Sequence, residues 1–181
     1  MEAKLNTSSY VKDFATFEGV YQFSPRRHKD LRGENVFTFE KNIYEQLLGV
    51  EFVKDEMSIS KRNVIRGLHG DNKTGKLIQV LHGEVFFVIV DYRKESKTYL
   101  HHKHFLLNSI DRLQIYIPPN FLNGHMCLSE ECIFSYKMTQ YYNGIEDQYS
   151  VRYDDEKIGI KWPLHIKPIL SYRDSFAKNH E

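Results

Sequence analysis

At 181 residues the chain falls within the usual size of one domain and is long enough to bury one substantial core. Its 25 Lys and Arg nearly balance 24 Asp and Glu, so a formal charge of +1 gives no field that would draw nucleic acid or an anionic membrane as the main partner. Only Cys127 and Cys132 are present, no charged-then-apolar leader opens the chain, and the longest strongly apolar run (Val85 to Val90) is far short of the ~20 residues of a spanning helix. These features point away from secretion and membranes and toward a reduced cytoplasm.

Strand signals begin at Val36-Phe37-Thr38-Phe39, where aromatic and β-branched residues suit a pleated, half-buried surface. The stretch Asn42 to Leu48 reads as a short helix with Asn42 as its cap and Gly49 at its end. Strands are then expected at Val64-Ile65, Leu77 to Leu81 and Val85 to Val90, with His82-Gly83-Glu84 as a hairpin turn between the last two. Leu113 to Ile117 is stopped by Pro118-Pro119-Asn120, because proline cannot donate to a ladder, and the loop beyond it is a place for a site. A strand from Cys132 to Thr139 and a short helix after Ser171 complete the elements. Short strands punctuated by turns predict a sandwich or barrel. The polar stretch Asp147 to Lys157 alternates in sign, and no repeat or linker divides the chain, so one domain over residues 1–181 is expected.

Three strings carry chemistry: Arg66-Gly67-Leu68-His69, Ser135-Tyr136-Lys137 and Leu170-Ser171-Tyr172-Arg173-Asp174. Histidine has the ordinary pKa closest to neutrality, tyrosine can hold a proton for delivery, and a buried aspartate can fix an imidazole tautomer. Together they suit proton transfer at carbon, with no metal or redox cofactor needed. Taken singly, each residue has a blander use: a hydrogen-bonded core histidine, a barrel-filling aromatic, a solvated edge lysine at Lys76, or a helix-capping aspartate near the terminus. His101-His102-Lys103-His104 could suggest a metal, but only alternate residues of a strand share a face and a third ligand is lacking, so a solvated strand is the expectation. Cys127 and Cys132 have no second pair to close a zinc site and read as packing residues.

In order along the chain stand Asp30-Leu31-Arg32-Gly33, Ser58-Ile59-Ser60, Arg66-Gly67-Leu68-His69, Gly75-Lys76-Leu77, Val90-Asp91-Tyr92-Arg93, Ile117-Pro118, Tyr136-Lys137, Gly159-Ile160-Lys161-Trp162-Pro163 and Leu170 to Asp174. Over roughly residues 20 to 175 this series resembles the dTDP-4-dehydrorhamnose 3,5-epimerase family. The resemblance implies an all-β cupin-type double-stranded β-helix, or jelly roll, with short peripheral helices. It implies a homodimer exchanging N-terminal strands and a nucleotide-diphosphate sugar carrying a 4-keto-6-deoxy ring as substrate. It further implies His69 as base, Asp174 as its carboxylate partner, Lys76 as a cation near the keto oxygen, and Tyr136 as the acid on the opposite face. Arg32 and Arg66 match positions near the diphosphate, where planar guanidinium forks suit phosphate oxygens. Glu56, Ser58, Asn123 and His125 fall where the family lines its ligand pocket. No cofactor is implied.

The chain also departs from the family pattern. The usual Gly-Phe-Ala-His-Gly is here Asn120-Phe121-Leu122-Asn123-Gly124, with His125 two residues beyond the expected histidine, about 7 Å further along a strand. The usual Gln-x-Asn becomes Lys54-Asp55-Glu56, and the loop between His69 and Lys76 is shorter than expected. Because base, acid and carboxylate remain, the changes point to a different substrate rather than lost activity. The Asn120 to His125 stretch looks more like epimerases of bacterial capsule pathways that act on GDP-6-deoxy-4-keto-heptoses, inverting C3 and possibly C5. The alternatives are a dTDP-4-dehydrorhamnose 3,5-epimerase, a sugar-nucleotide 3,4-ketoisomerase, a catalytically silent nucleotide-sugar binder and, last, a metal-dependent cupin oxygenase.

Overall fold

A computed structural model describes residues 11–13, 17–141, 144 and 147–180. The single domain expected over 1–181 therefore extends at both ends beyond the described residues. In chain order the elements are β1 (Val11–Asp13), β2 (Tyr21–Phe23), β3 (Arg27–Asp30), β4 (Gly33–Val36), α1 (Lys41–Leu48), β5 (Lys54–Lys61), β6 (Ile65–Gly70), β7 (Lys76–His82), β8 (Glu84–Asp91), β9 (His102–Asn108), β10 (Gln114–Ile117), β11 (Phe121–Cys127), β12 (Glu131–Met138), β13 (Tyr149–Ser150) and α2 (Tyr172–Ser175). They form a six-stranded sheet ordered β1-β2-β10-β7-β12-β5, a five-stranded sheet ordered β13-β6-β11-β8-β9, and a separate β3–β4 hairpin. Every strand pair is antiparallel, and the two large sheets make the cupin-type jelly roll expected from the resemblance.

The core lies between the sheets, where Ile78, Val80, Ile115, Ile117 and Phe134 meet Val85, Phe87, Ile89, Leu107 and Phe121. The other face of β8 is also covered: Phe86, Val88 and Val90 pack beneath Val151, Ile158 and Ile160 of the C-terminal segment. A strand buried on both faces has no polar alternation, which is why Val85 to Val90 reads as a continuous apolar run. Phe87 is fully buried at the centre, and truncating it to alanine should remove about 3–5 kcal/mol.

Three expectations about local structure need correction. His82-Gly83-Glu84 is not a hairpin: β7 belongs to the six-stranded sheet and β8 to the five-stranded one, so the turn is a corner between sheets. Gly83 takes φ +75° there, and a Cβ would meet Glu131 O at 2.3 Å. The aromatic run Val36 to Phe39 overlaps a strand only at Val36, since Phe39 leaves the ladder to pack on Tyr44 and Phe52 outside the six-stranded sheet. Helix α1 starts two residues early, with Glu40 rather than Asn42 at its cap and no side-chain capping bond, while Gly49 closes it in the left-handed conformation as expected. The helix is held by its apolar stripe, with Tyr44, Ile43 and Leu47 packed on Phe23, Leu77 and Tyr116. Among the described residues no helix is long and apolar enough to cross a membrane.

Candidate active site

A strand sends alternate side chains to opposite faces, so Arg66 and His69, three apart on β6, ought to point in opposite directions. They do not, because the β6–β11 pairing slips by one residue: His69 pairs with Asn123 and Arg66 with His125, three steps on one strand against two on the other. The extra residue falls at Gly67–Leu68. Gly67 has φ +129°, and a Cβ there would lie 2.6 Å from the Gly124 Cα, so the bulge needs glycine on both strands. Its consequence is that Arg66, His69, Asn123 and His125 all line one cavity.

That cavity, of about 300 Å³, lies between the sheets. The opposite wall comes from the six-stranded sheet at period two: Lys54 and Glu56 on β5, Lys76 and Ile78 on β7, and Phe134, Tyr136 and Met138 on β12. Gln148, Ser171, Arg173 and Asp174 close the rim. The charged lining residues are the cations Lys54, Arg66, Lys76 and Arg173 and the carboxylates Glu56 and Asp174, so the chamber favours an anion although the chain is nearly neutral.

The C-terminal tail returns across 105 positions to place Asp174 Oδ1 2.5 Å from His69 Nε2. It is anchored by the Ile65 amide donating to the Ile169 carbonyl and the Ile169 amide donating to the Asn63 carbonyl, both at 3.0 Å. Ser171 then caps α2, its Oγ accepting from the Asp174 amide at 3.1 Å. The Asp174 side chain is 2% exposed and that of His69 24%. Burial pushes the Asp174 carboxyl up, but the His69 contact, the Ser171 hydroxyl and the Gly67 amide outweigh it and hold the group below its ordinary value. An ionised carboxylate only accepts, so Nε2 carries the proton of this contact, and in the neutral ring Nδ1 is the nitrogen left with a lone pair.

On the facing wall the Tyr136 hydroxyl donates to Glu56 Oε1 at 3.1 Å, and Glu56 is also bonded to Lys54. Burial and the Glu56 charge push the phenol up to about 12, so Tyr136 holds its proton throughout the neutral range. The Lys76 ammonium is moved below its ordinary value by burial, with Asp71 and Glu56 opposing and Arg173 reinforcing the shift. Arg66 is positioned by bonds from Nε to Ser60 Oγ at 2.9 Å and from Nη2 to the Ile59 carbonyl at 3.2 Å. Asn123 does not simply stand in for a histidine: its Nδ2 donates to the His69 carbonyl at 2.8 Å and ties the two strands together.

Two expected positions lie elsewhere. Arg32 sits at the tip of the β3–β4 hairpin, its side chain 91% exposed and paired with Asp30. Ser58, half-buried on β5, shares the face of Lys54 and Glu56 and stands beside the Tyr136 phenol, just behind the lining itself. Conversely, the lining includes Gln148 and Arg173, which carry no expected role, and Lys54, which the sequence marks only as a departure from the family pattern. Arg173 was within reach, since it stands inside the Leu170 to Asp174 string. His104 stacks on Phe86 with centroids 4.8 Å apart, and neither it nor His102 lines the cavity.

The model of the dTDP-4-dehydrorhamnose 3,5-epimerase family matches residues 15–181. The dTDP-4-dehydrorhamnose 3,5-epimerase of Salmonella typhimurium is 41% identical over 163 residues, 87% of this chain and 88% of its own length. That of Methanothermobacter thermautotrophicus is 39% identical over 88% of each chain. The Legionella pneumophila dTDP-6-deoxy-D-glucose-3,5-epimerase, solved with dTDP-4-keto-L-rhamnose, superposes with a TM-score of 0.87 at 36% identity, covering 93% of this chain and 91% of that one. These relatives are named for dTDP-linked sugars and favour the dTDP alternative over the GDP-linked heptose expected from Asn120 to His125.

Proposed function

The chain belongs to the dTDP-4-dehydrorhamnose 3,5-epimerase family, and we propose that it inverts C3 and C5 of a dTDP-linked 4-keto-6-deoxy hexose by proton transfers alone. The observation that carries this reading is the buried Asp174–His69 contact facing Tyr136 across one cavity. His69 Nδ1 takes the proton from a carbon next to the ketone, and Asp174 stabilises the resulting imidazolium. The pair of electrons left on carbon moves to the ketone oxygen as an enolate. Lys76, a cation in the cavity wall, stabilises that charge by about a few kcal/mol. Tyr136 delivers a proton from the other face, and the stereocentre inverts. Arg66 and Arg173 are suited to the diphosphate, Glu56 orients the phenol that it accepts from, and Asn123 holds the His69 backbone in register.

The same reading gives Arg32 a use that its own chain does not offer. At the end of an exposed hairpin beside the fully exposed Leu31, it is placed to reach a second copy, and β5 presents Met57 and Ile59 exposed at the sheet edge. A homodimer in which Arg32 enters the partner's cavity fits both features.

Proton NMR in deuterated buffer with a dTDP-linked 4-keto-6-deoxy hexose tests the activity. Deuterium at C3 and C5 is expected. Label at C3 alone would make the chain a 3-epimerase, and label at neither, with dTDP- and GDP-linked keto sugars tried side by side, would end the proposal.

A further inference from the structure

One side chain in the cavity has no task in the mechanism above. His125 is 5% exposed and lines the chamber, yet its Nε2 is buried without a hydrogen-bond partner among the described residues. Its ring lies flat on Phe134, centroids 4.1 Å apart and planes within 14°, so its orientation is fixed. Burial, followed by the nearby Arg66 and His69, lowers its pKa to about 3, with Asp174 opposing. The ring is therefore neutral at working pH and a much weaker base than an ordinary imidazole. An apolar ring of the same shape would stack equally well and leave no polar atom stranded, so the imidazole is a cost to the empty protein.

Position indicates what repays it. On β11, Asn123 pairs with the base-bearing His69 and His125 with Arg66, so with Arg66 on the diphosphate as proposed above, His125 lies between the base and that group. In a bound sugar nucleotide, the group between reactive C3 and the diphosphate-bearing C1 is the C2 hydroxyl. A hydroxyl both donates and accepts, and a neutral imidazole nitrogen can pair with it in either sense. A diphosphate would gain little from an uncharged ring. Resting on the proposed epimerase reading, we propose that His125 is a specificity-determining residue whose Nε2 hydrogen-bonds the C2 hydroxyl of the sugar.

The test compares wild type with His125→Phe and His125→Gln on a dTDP-linked 4-keto-6-deoxy hexose and its 2-deoxy analogue. The readouts are KM and kcat for deuterium exchange at C3, calorimetric affinities for both sugar nucleotides, and affinity for dTDP. Wild type should favour the 2-hydroxylated sugar by roughly 10- to 100-fold in kcat/KM. In His125→Phe that preference should collapse, mainly through a raised KM for the hydroxylated sugar, with dTDP affinity unchanged and Tm equal or higher. His125→Gln should recover part of the preference. Equal losses on both sugars, or an undiminished preference in His125→Phe, would overturn the assignment. If wild type exchanges neither sugar the epimerase reading fails, while the calorimetric preference for the hydroxylated ligand still decides the role of His125. Should His125→Phe not fold, the two affinities of His125→Gln against wild type decide it.

Discussion

Two buried aspartates in this molecule have opposite surroundings. Asp91, at the end of β8, is completely buried and saturated: it accepts from the Arg93 amide at 3.0 Å, from Arg93 Nε and Nη2 at 2.8 Å, and from the Ser96 and Thr98 hydroxyls at 2.6 Å. All these partners lie within seven residues. Asp174 is equally inaccessible, but its side-chain partner is a histidine 105 residues away that opens onto a cavity. Around it stand groups with unused capacity, among them His125 Nε2 and Arg173 Nη2. A carboxylate whose every partner is local organises a loop. One whose partner faces a chamber lined by unsatisfied polar atoms prepares for a ligand.

The largest effect expected from this contrast is that of His69→Asn. Without the base, deuterium exchange at C3 and C5 should fall by roughly 10²- to 10⁴-fold, measured by NMR. Affinity for dTDP should hardly change, because the base acts in the transition state, while thermal stability should fall modestly as the buried Asp174 loses its principal partner. A loss of stability as large as that of an Asp91 variant would erase the distinction. Tyr136→Phe sharpens it from the other wall: inversion should be lost while exchange on the His69 face persists, giving labelled but uninverted sugar. With the phenol pushed up to about 12, no alkaline fall in activity below about pH 10 should trace to its ionisation.

Asp91→Asn should do the reverse, leaving kcat and KM intact while destabilising the fold. Burial raises the Asp91 carboxyl, but hydrogen bonds from Arg93, Ser96 and Thr98 outweigh it and bring the group from 3.8 to about 2. A pKa lowered on folding contributes stability that is present above the unfolded value and lost as pH falls through the folded one. The difference, 3.8 minus about 2, corresponds to about 2 kcal/mol at neutral pH. Denaturant titrations should show wild type losing this increment between about pH 4 and pH 2, and the variant lacking it at pH 7.

The same contrast explains what could be read from the chain. The strands of the core were legible because burial writes itself locally: β8 is buried on both faces and appears as an apolar run, and Pro118 stops β10 where expected. The corner at Gly83 leaves no such mark, since a glycine turn between two apolar runs looks the same whether its strands pair or part into different sheets. His69, Tyr136, Lys76 and Asp174 were named through an ordered set of motifs, not through spacing, because a pairing across 105 positions leaves no local trace. Arg66 and His69 converge only through the bulge at Gly67, which no alternation pattern would announce. Lys54 stands out only as a departure from the family pattern and Gln148 not at all, because a solvated polar side chain and a cavity one are indistinguishable until the opposite wall is in place.

The smallest expected effect lies where fold and site meet. Ser171 accepts from the Asp174 amide and its hydroxyl helps to lower the Asp174 carboxyl, so one side chain both caps α2 and tunes the carboxylate. Ser171→Ala should cost about 1 kcal/mol as a lost cap. With that contribution gone the Asp174 pKa moves back toward 3.8, so the stability it supplies above that value begins to fade at a higher pH during acidification. Turnover should drop only severalfold, because the Asp174–His69 contact itself survives while its orientation loosens. Parallel measurements of acid unfolding and exchange rate check both arms. If the substitution shifts stability without touching exchange, Ser171 belongs with the Asp91 kind of residue, and the boundary between scaffold and site runs between positions 171 and 174.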